Sequence, residues 1–172
     1  DTGSDDDWLF DQLPASARVV GNHPHAKRAR NKEGQLRSML RGILNLIPES
    51  AESTTIVDFG GGSGHLGIPL ALLLPQCKII VVDLNERSIK LLHEKAKVVI
   101  QEVTDAEKQD SKTRDSSKNF ASKLSSKNIA SSSTTMDLKC CGSQGGVLGN
   151  LFTFCGPVED FESPFDVAIA LH

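Results

Sequence analysis

The sequence predicts an α/β fold, a doubly wound parallel sheet. Two short β-branched runs, Thr54–Asp58 and Lys78–Asp83, are each followed by a segment in which apolar residues recur at helical spacing. The second run, KIIVVD, is apolar without alternation, the pattern of a strand covered on both faces. The joints between these segments are short, so strand, helix, strand and helix in that order form a βαβα unit with right-handed crossovers.

The 172 residues suffice for one domain with one sizeable core. With 22 acidic against 19 basic residues the formal charge is -3, which argues against a general polyanion-binding surface and leaves a local basic patch open. No apolar run approaches the ~20 residues that cross a bilayer, so no membrane association is expected. Cys77, Cys140, Cys141 and Cys155 are too few and too oddly spaced for a disulfide framework or a zinc site. They point to a reducing compartment, the cytoplasm first and the nucleus as alternative. His23 and His25 flank Pro24 with no third ligand in view, so no metal site is expected. The chain starts at Asp1 rather than Met, which leaves an upstream targeting segment open.

Each element has its own signal. Residues 1–26 read as a loose lead-in, acidic at Asp1, Asp5, Asp6, Asp7 and Asp11, with the loop-like VVGNHPH at its end. The partial domain occupies 27–172. Its first helix spans about Lys27 to Ile47: Leu36, Met39, Leu40, Ile43, Leu44 and Ile47 share one face, and Pro48 marks the stop. Its basic start, Lys27, Arg28, Arg30 and Lys32, is either a solvated helix start or an RNA contact. The strand Thr54–Asp58 delivers the chain into a glycine-rich turn, followed by a helix from about His65 to Leu74, with Pro69 near its start and Pro75 at its close. After the second strand, Asn85 caps a helix whose Ile89, Leu92, Ala96 and Val99 align. From about 101 to 146 the chain is rich in Ser and Lys, without apolar period, and is read as a disordered insertion. NLFTFC then forms a strand, GPVEDF a turn or short helix, and FDVAIAL a strand ending at His172. A fourth strand in that place calls for outer neighbours, so the sheet is expected to be truncated after it.

The glycine turn carries the chemistry. Gly62, Gly64 and Gly67 spell G-x-G-x-x-G, a dinucleotide pattern, with Asp83 placed to hold ribose hydroxyls. The same stretch spells D-x-G-x-G-x-G through Asp58, Gly60, Gly62 and Gly64, and the carboxylate inside the strand separates the two readings. A pyrophosphate would be repelled by Asp58, whereas a ligand bearing an ammonium and a sulfonium and no phosphate is favoured by it. S-adenosylmethionine fits that description. NAD is the weaker alternative.

VDFGGGSGHLGIPLALLLP with IIVVDLN resembles the first two motifs of class I S-adenosylmethionine-dependent methyltransferases. More narrowly, the GGHxGIxLA-like turn, the preceding basic helix with Gln35-Leu36, and FDVAIALH resemble the methyltransferase-type domain of the glutathione S-transferase C-terminal domain-containing protein family. Relatives of that family include a group of tRNA methyltransferases. The resemblance covers roughly 27–100 and 150–172 and implies a Rossmann-like sheet. It also implies that Gly60, Gly61, Gly62 and Gly64 pass under the methionyl part and ribose of the cofactor, that Asp58 orients its ammonium, and that Asp83 accepts from the ribose hydroxyls. Leu84 would pack beside adenine. Pro157 falls where the family commonly supplies an acceptor for the adenine amine, so the Val158 backbone N–H is left for the ring nitrogen, with Glu159 or Asp160 as substitutes. No catalytic base is identified. His172 either positions a substrate or is an exposed histidine. The sequence does not name the acceptor; RNA, tRNA included, is favoured. The alternative from a different class is a non-catalytic module that binds RNA or a protein partner.

Overall fold

The computed structural model describes residues 10–18, 26–47, 54–110 and 148–170. Helix α1 spans Ala26–Leu46, strand β1 Thr55–Phe59, helix α2 Gly67–Leu73, strand β2 Lys78–Asp83, helix α3 Glu86–Asp110, strand β3 Leu151–Cys155 and strand β4 Val167–Ala170. Short 3-10 turns occupy Ala15–Ala17 and Val158–Asp160. Asn85 caps α3 as its sequence position suggests: its side-chain oxygen accepts the Arg87 N–H at 3.0 Å.

All pairings are parallel and the strand order is β3-β2-β1-β4. The chain therefore winds outward from β1 to β3 and then returns to the other side of β1, the arrangement of a Rossmann-like sheet. In open α/β sheets such a reversal opens a crevice at the carboxyl ends of the strands, here those of β1 and β4. One face of the sheet, through Ile56, Ile79, Val81, Leu151 and Ile169, packs with Leu36 and Leu40 of α1, Leu70 of α2 and Leu92, Ala96 and Val99 of α3. The other face holds Val57, Ile80, Val82 and Phe154 with Phe59, Phe152 and Phe161.

The structure departs from the sequence reading in two places. The insertion does not begin at 101, because α3 continues to Asp110. Val103 extends the stripe of Ile89, Leu92, Ala96 and Val99 by one more step and is buried, so this turn is held by the core despite its polar neighbours. Nor is the lead-in loose throughout: Phe10, Leu13 and Ala17 are buried in the main core. Their three- and four-residue spacing is masked in the sequence by the acids around it. Glu102 ties the two departures together, accepting the Ala15 and Ser16 backbone N–H groups at 2.8 and 3.1 Å. The remainder of the Ser/Lys-rich stretch, 111–147, and the His23/His25 pair lie outside the described residues. No described helix is long and apolar enough to cross a membrane.

Asn150 locks β3 against the end of α2. Its amide nitrogen is 3.1, 3.0 and 3.0 Å from the carbonyl oxygens of Ala71, Leu74 and Cys77. Two N–H groups thus serve three acceptors at the end of α2 and in the turn that follows it, one of which, the Leu74 carbonyl, also accepts the Cys77 N–H at 3.0 Å. Asn150→Ala is expected to cost about 2 to 3 kcal/mol, because it removes the bonds and strands partly buried carbonyls. Urea unfolding measures it. A loss below about 0.5 kcal/mol would mean that water replaces the amide.

Candidate functional site

The turn between β1 and α2 is built by glycines in conformations that other residues resist. Gly60, Gly62 and Gly64 have φ of 72°, 57° and 73°. Space matters as much as φ. A Cβ on Gly61 would run into the Asp58 carboxylate and Val81, and one on Gly64 would lie 2.8 Å from Leu92 Cγ. Gly62 is less crowded, its nearest atom being Asp83 Oδ2 at 3.8 Å. The turn therefore lies directly over Asp58 on one side and over α3 on the other.

Two carboxylates flank it. Asp83, at the end of β2, accepts the Gly62 N–H on Oδ2 at 2.8 Å and the Asn85 N–H on Oδ1 at 2.7 Å. It fixes both the glycine turn and the start of α3, and each oxygen keeps capacity for another donor. Asp58, in the middle of the sheet beside Val81 and Ile169, is 1% exposed, and both its oxygens lack a hydrogen-bond partner. Burial, and secondarily the charge of Asp83, push its carboxyl up to about 7. A buried carboxyl with two orphaned oxygens is costly. It is a place where a donor, and above all a cationic donor, would be held.

Leu84 follows Asp83 and is 73% exposed, and Val158 in the turn after β3 is 52% exposed. The Gly156 N–H donates to the Asp83 carbonyl at 3.1 Å, which holds the Pro157–Glu159 turn next to the end of β2. The sheet thus brings Asp58, Gly60, Gly61, Gly62, Gly64, Asp83, Leu84, Val158 and Glu159 to its carboxyl edge. His172 lies outside the described residues.

The sequence reading did not single out Ser63, His65 and Lys95. Lys95 Nζ lies 3.4 Å from His65 Nδ1, and His65 Nε2 lies 3.1 Å from Ser63 Oγ. Only His65 stood out by position, inside the glycine run. Its partner comes from the third turn of α3. Among the described residues no three His, Cys, Asp or Glu side chains form a group that could hold a metal ion.

A family model described as a methyltransferase domain matches residues 31–172. Over 84 residues the chain is 37% identical to the glutathione S-transferase C-terminal domain-containing protein of Xenopus laevis, which covers 48% of this chain and 13% of the relative. The human protein of that name is 32% identical over 84 residues, with the same coverage. Ribosomal RNA small subunit methyltransferase G of Nostoc punctiforme is 39% identical over 62 residues, 35% of this chain and 25% of that protein. The matched stretch thus spans only 13% of the length of the vertebrate relatives.

Proposed function

We propose, from the premise that the chain belongs to the methyltransferase-domain family, that its glycine turn binds S-adenosylmethionine and that the protein methylates RNA. The observation that carries the cofactor reading is the buried, unpartnered carboxyl of Asp58 beneath Gly61. An ammonium group satisfies it, whereas a diphosphate at the same turn would meet two carboxylates. Asp83 has lone pairs left for two ribose hydroxyls, and the exposed Leu84 and Val158 supply apolar surface for an adenine ring. The RNA reading is supported by the likeness to a protein named as a ribosomal RNA methyltransferase.

When bound, the cofactor supplies a methyl group already activated by its sulfonium. What remains for the protein is alignment and exclusion of water. Asp58 and Asp83 would fix the two polar ends of the ligand while the glycine turn allows its close approach. The short Gly62 N–H bond keeps Asp83 in place before the ligand arrives, so little ordering is left to be done on binding.

Calorimetry on the full-length protein tests this: S-adenosylhomocysteine should bind and NAD should not. Asp83→Ala should weaken binding by about 1.5 to 3 kcal/mol, the usual worth of bonds to a charged acceptor, or roughly 10- to 150-fold. Binding of NAD instead, or equal affinity of the variant, would overturn the assignment. Pro157 favours a second reading, a methyltransferase-like module that binds RNA without modifying it, because it offers no side-chain acceptor beside the adenine position. Transfer of radiolabel from the cofactor to RNA decides against that module. RNA binding without transfer decides for it.

A further inference from the structure

We propose that Lys32, Lys95, His65 and Ser63 form a phosphate-binding site beside the glycine turn, one that takes the dianion of inorganic phosphate or of a phosphate monoester. The four residues come from three separate elements: Lys32 from α1, Ser63 and His65 from the glycine turn, and Lys95 from α3. Lys95 Nζ is 3.4 Å from His65 Nδ1, so the ammonium donates and the ring nitrogen accepts. The proton of the ring then sits on Nε2, which donates to Ser63 Oγ at 3.1 Å. The hydroxyl proton of Ser63 is left for an acceptor, as are two protons of the Lys95 ammonium.

The charge balance calls for an anion. Burial, followed by the nearby charge of Lys32, pushes the Lys95 amine down to about 8. Burial and both lysines push His65 down to about 4, so the imidazole is neutral. Lys32 is exposed as a residue, yet burial of its amine lowers its pKa as well. Among the described residues no carboxylate shifts any of the three, and neither lysine enters an ion pair. Two amines that repel each other beside a neutral donor pair match a ligand of about two negative charges. A carboxylate or a phosphodiester would neutralise only one. Within the turn, Gly61 lies against Asp58 and the Gly62 N–H donates to Asp83, whereas the donors of the cluster are carried by Ser63 and His65.

The site adds to the donor reading without depending on it, and one set of measurements on the full-length protein separates the two. At matched ionic strength inorganic phosphate should raise Tm by several degrees over chloride in wild type. It should lose that effect in Lys95→Gln and Lys32→Gln, and retain it in Lys95→Arg. Circular dichroism without phosphate checks that the variants fold, and NMR of the wild-type Lys95 ammonium provides a readout that needs no variant: phosphate should move its titration upward. An RNA oligonucleotide with a 5′-phosphate should bind at least tenfold tighter than its dephosphorylated form if the phosphate is the terminus of a nucleic acid. Equal binding with a retained response to inorganic phosphate identifies a free or small-molecule phosphate. A phosphate effect no larger than that of chloride, or an unmoved Lys95 titration, overturns the proposal. Should the lysine variants lose S-adenosylhomocysteine while phosphate has no effect, the amines serve the carboxylate of the donor, and the donor reading stands. A phosphate response in a protein that fails to bind S-adenosylhomocysteine overturns the donor reading alone.

Discussion

Asp58→Asn is expected to make the ligand-free domain more stable at pH 8 and to remove its affinity for a cationic ligand. The carboxyl of Asp58 is buried, unpartnered and pushed up from 3.8 to about 7. A raised folded-state pKa means that the native state holds the proton more tightly than the unfolded chain. Its contribution to stability is therefore fully present below about pH 4, is lost as pH rises to about 7, and stays lost above that. At 1.36 kcal/mol per unit the ionised group costs the native state about 4 kcal/mol at pH 8. Asparagine carries no charge, but its amide meets the same lack of partners at a cost of about 1 to 3 kcal/mol, leaving a net gain of about 2 kcal/mol. Urea unfolding at pH 4.5, 6 and 8 should show the difference between variant and wild type growing through this window. Binding of S-adenosylhomocysteine should fall by 100-fold or more, since the charge facing the ammonium is gone. Parallel pH profiles for the two proteins would mean that Asp58 is ionised or solvated at all these pH values.

Gly64→Val should abolish cooperative folding. The backbone at Gly64 has a φ of 73°, which a β-branched residue resists, and its Cβ would lie 2.8 and 2.9 Å from Leu92 Cγ and Cδ1 and 3.2 Å from Ile68 Cγ1. Leu92 is fully buried in the core between α3 and the sheet, so it has no room to withdraw. Overpacking costs about 1 to 3 kcal/mol and the backbone strain a further 1 to 3, together a large part of the stability of an ordinary domain. Gly34→Ala is the control. Its position on α1 has nothing within 4 Å of the added Cβ, and it should gain up to about 1 kcal/mol through helix propensity. A cooperative thermal transition for Gly64→Val within a few degrees of wild type would show that α3 can shift away from the turn.

The sequence alone determined what rests on short-range pattern. β2 coincides with the KIIVVD run because a strand covered on both faces must be apolar at successive positions between its ends. The turn at Gly60–Gly64 was legible because positive φ restricts the choice of residue, and Asp58 and Asp83 were legible because strand ends fix where their side chains emerge. The tertiary structure decided what depends on residues distant in the chain. The last turn of α3 is polar by composition, yet Val103 reaches the core and Glu102 holds the segment around Ala15, a pairing across 87 residues that no local window contains. The pKa of Asp58 is likewise invisible in the string DFGGG, since it arises from the strands on either side and the turn laid over it. Lys32, His65 and Lys95 look like unrelated surface residues in sequence. Only the fold brings α1, the glycine turn and α3 near enough for their charges to act on one another, because periodicity states which face a helix buries but not what lies across from its other residues.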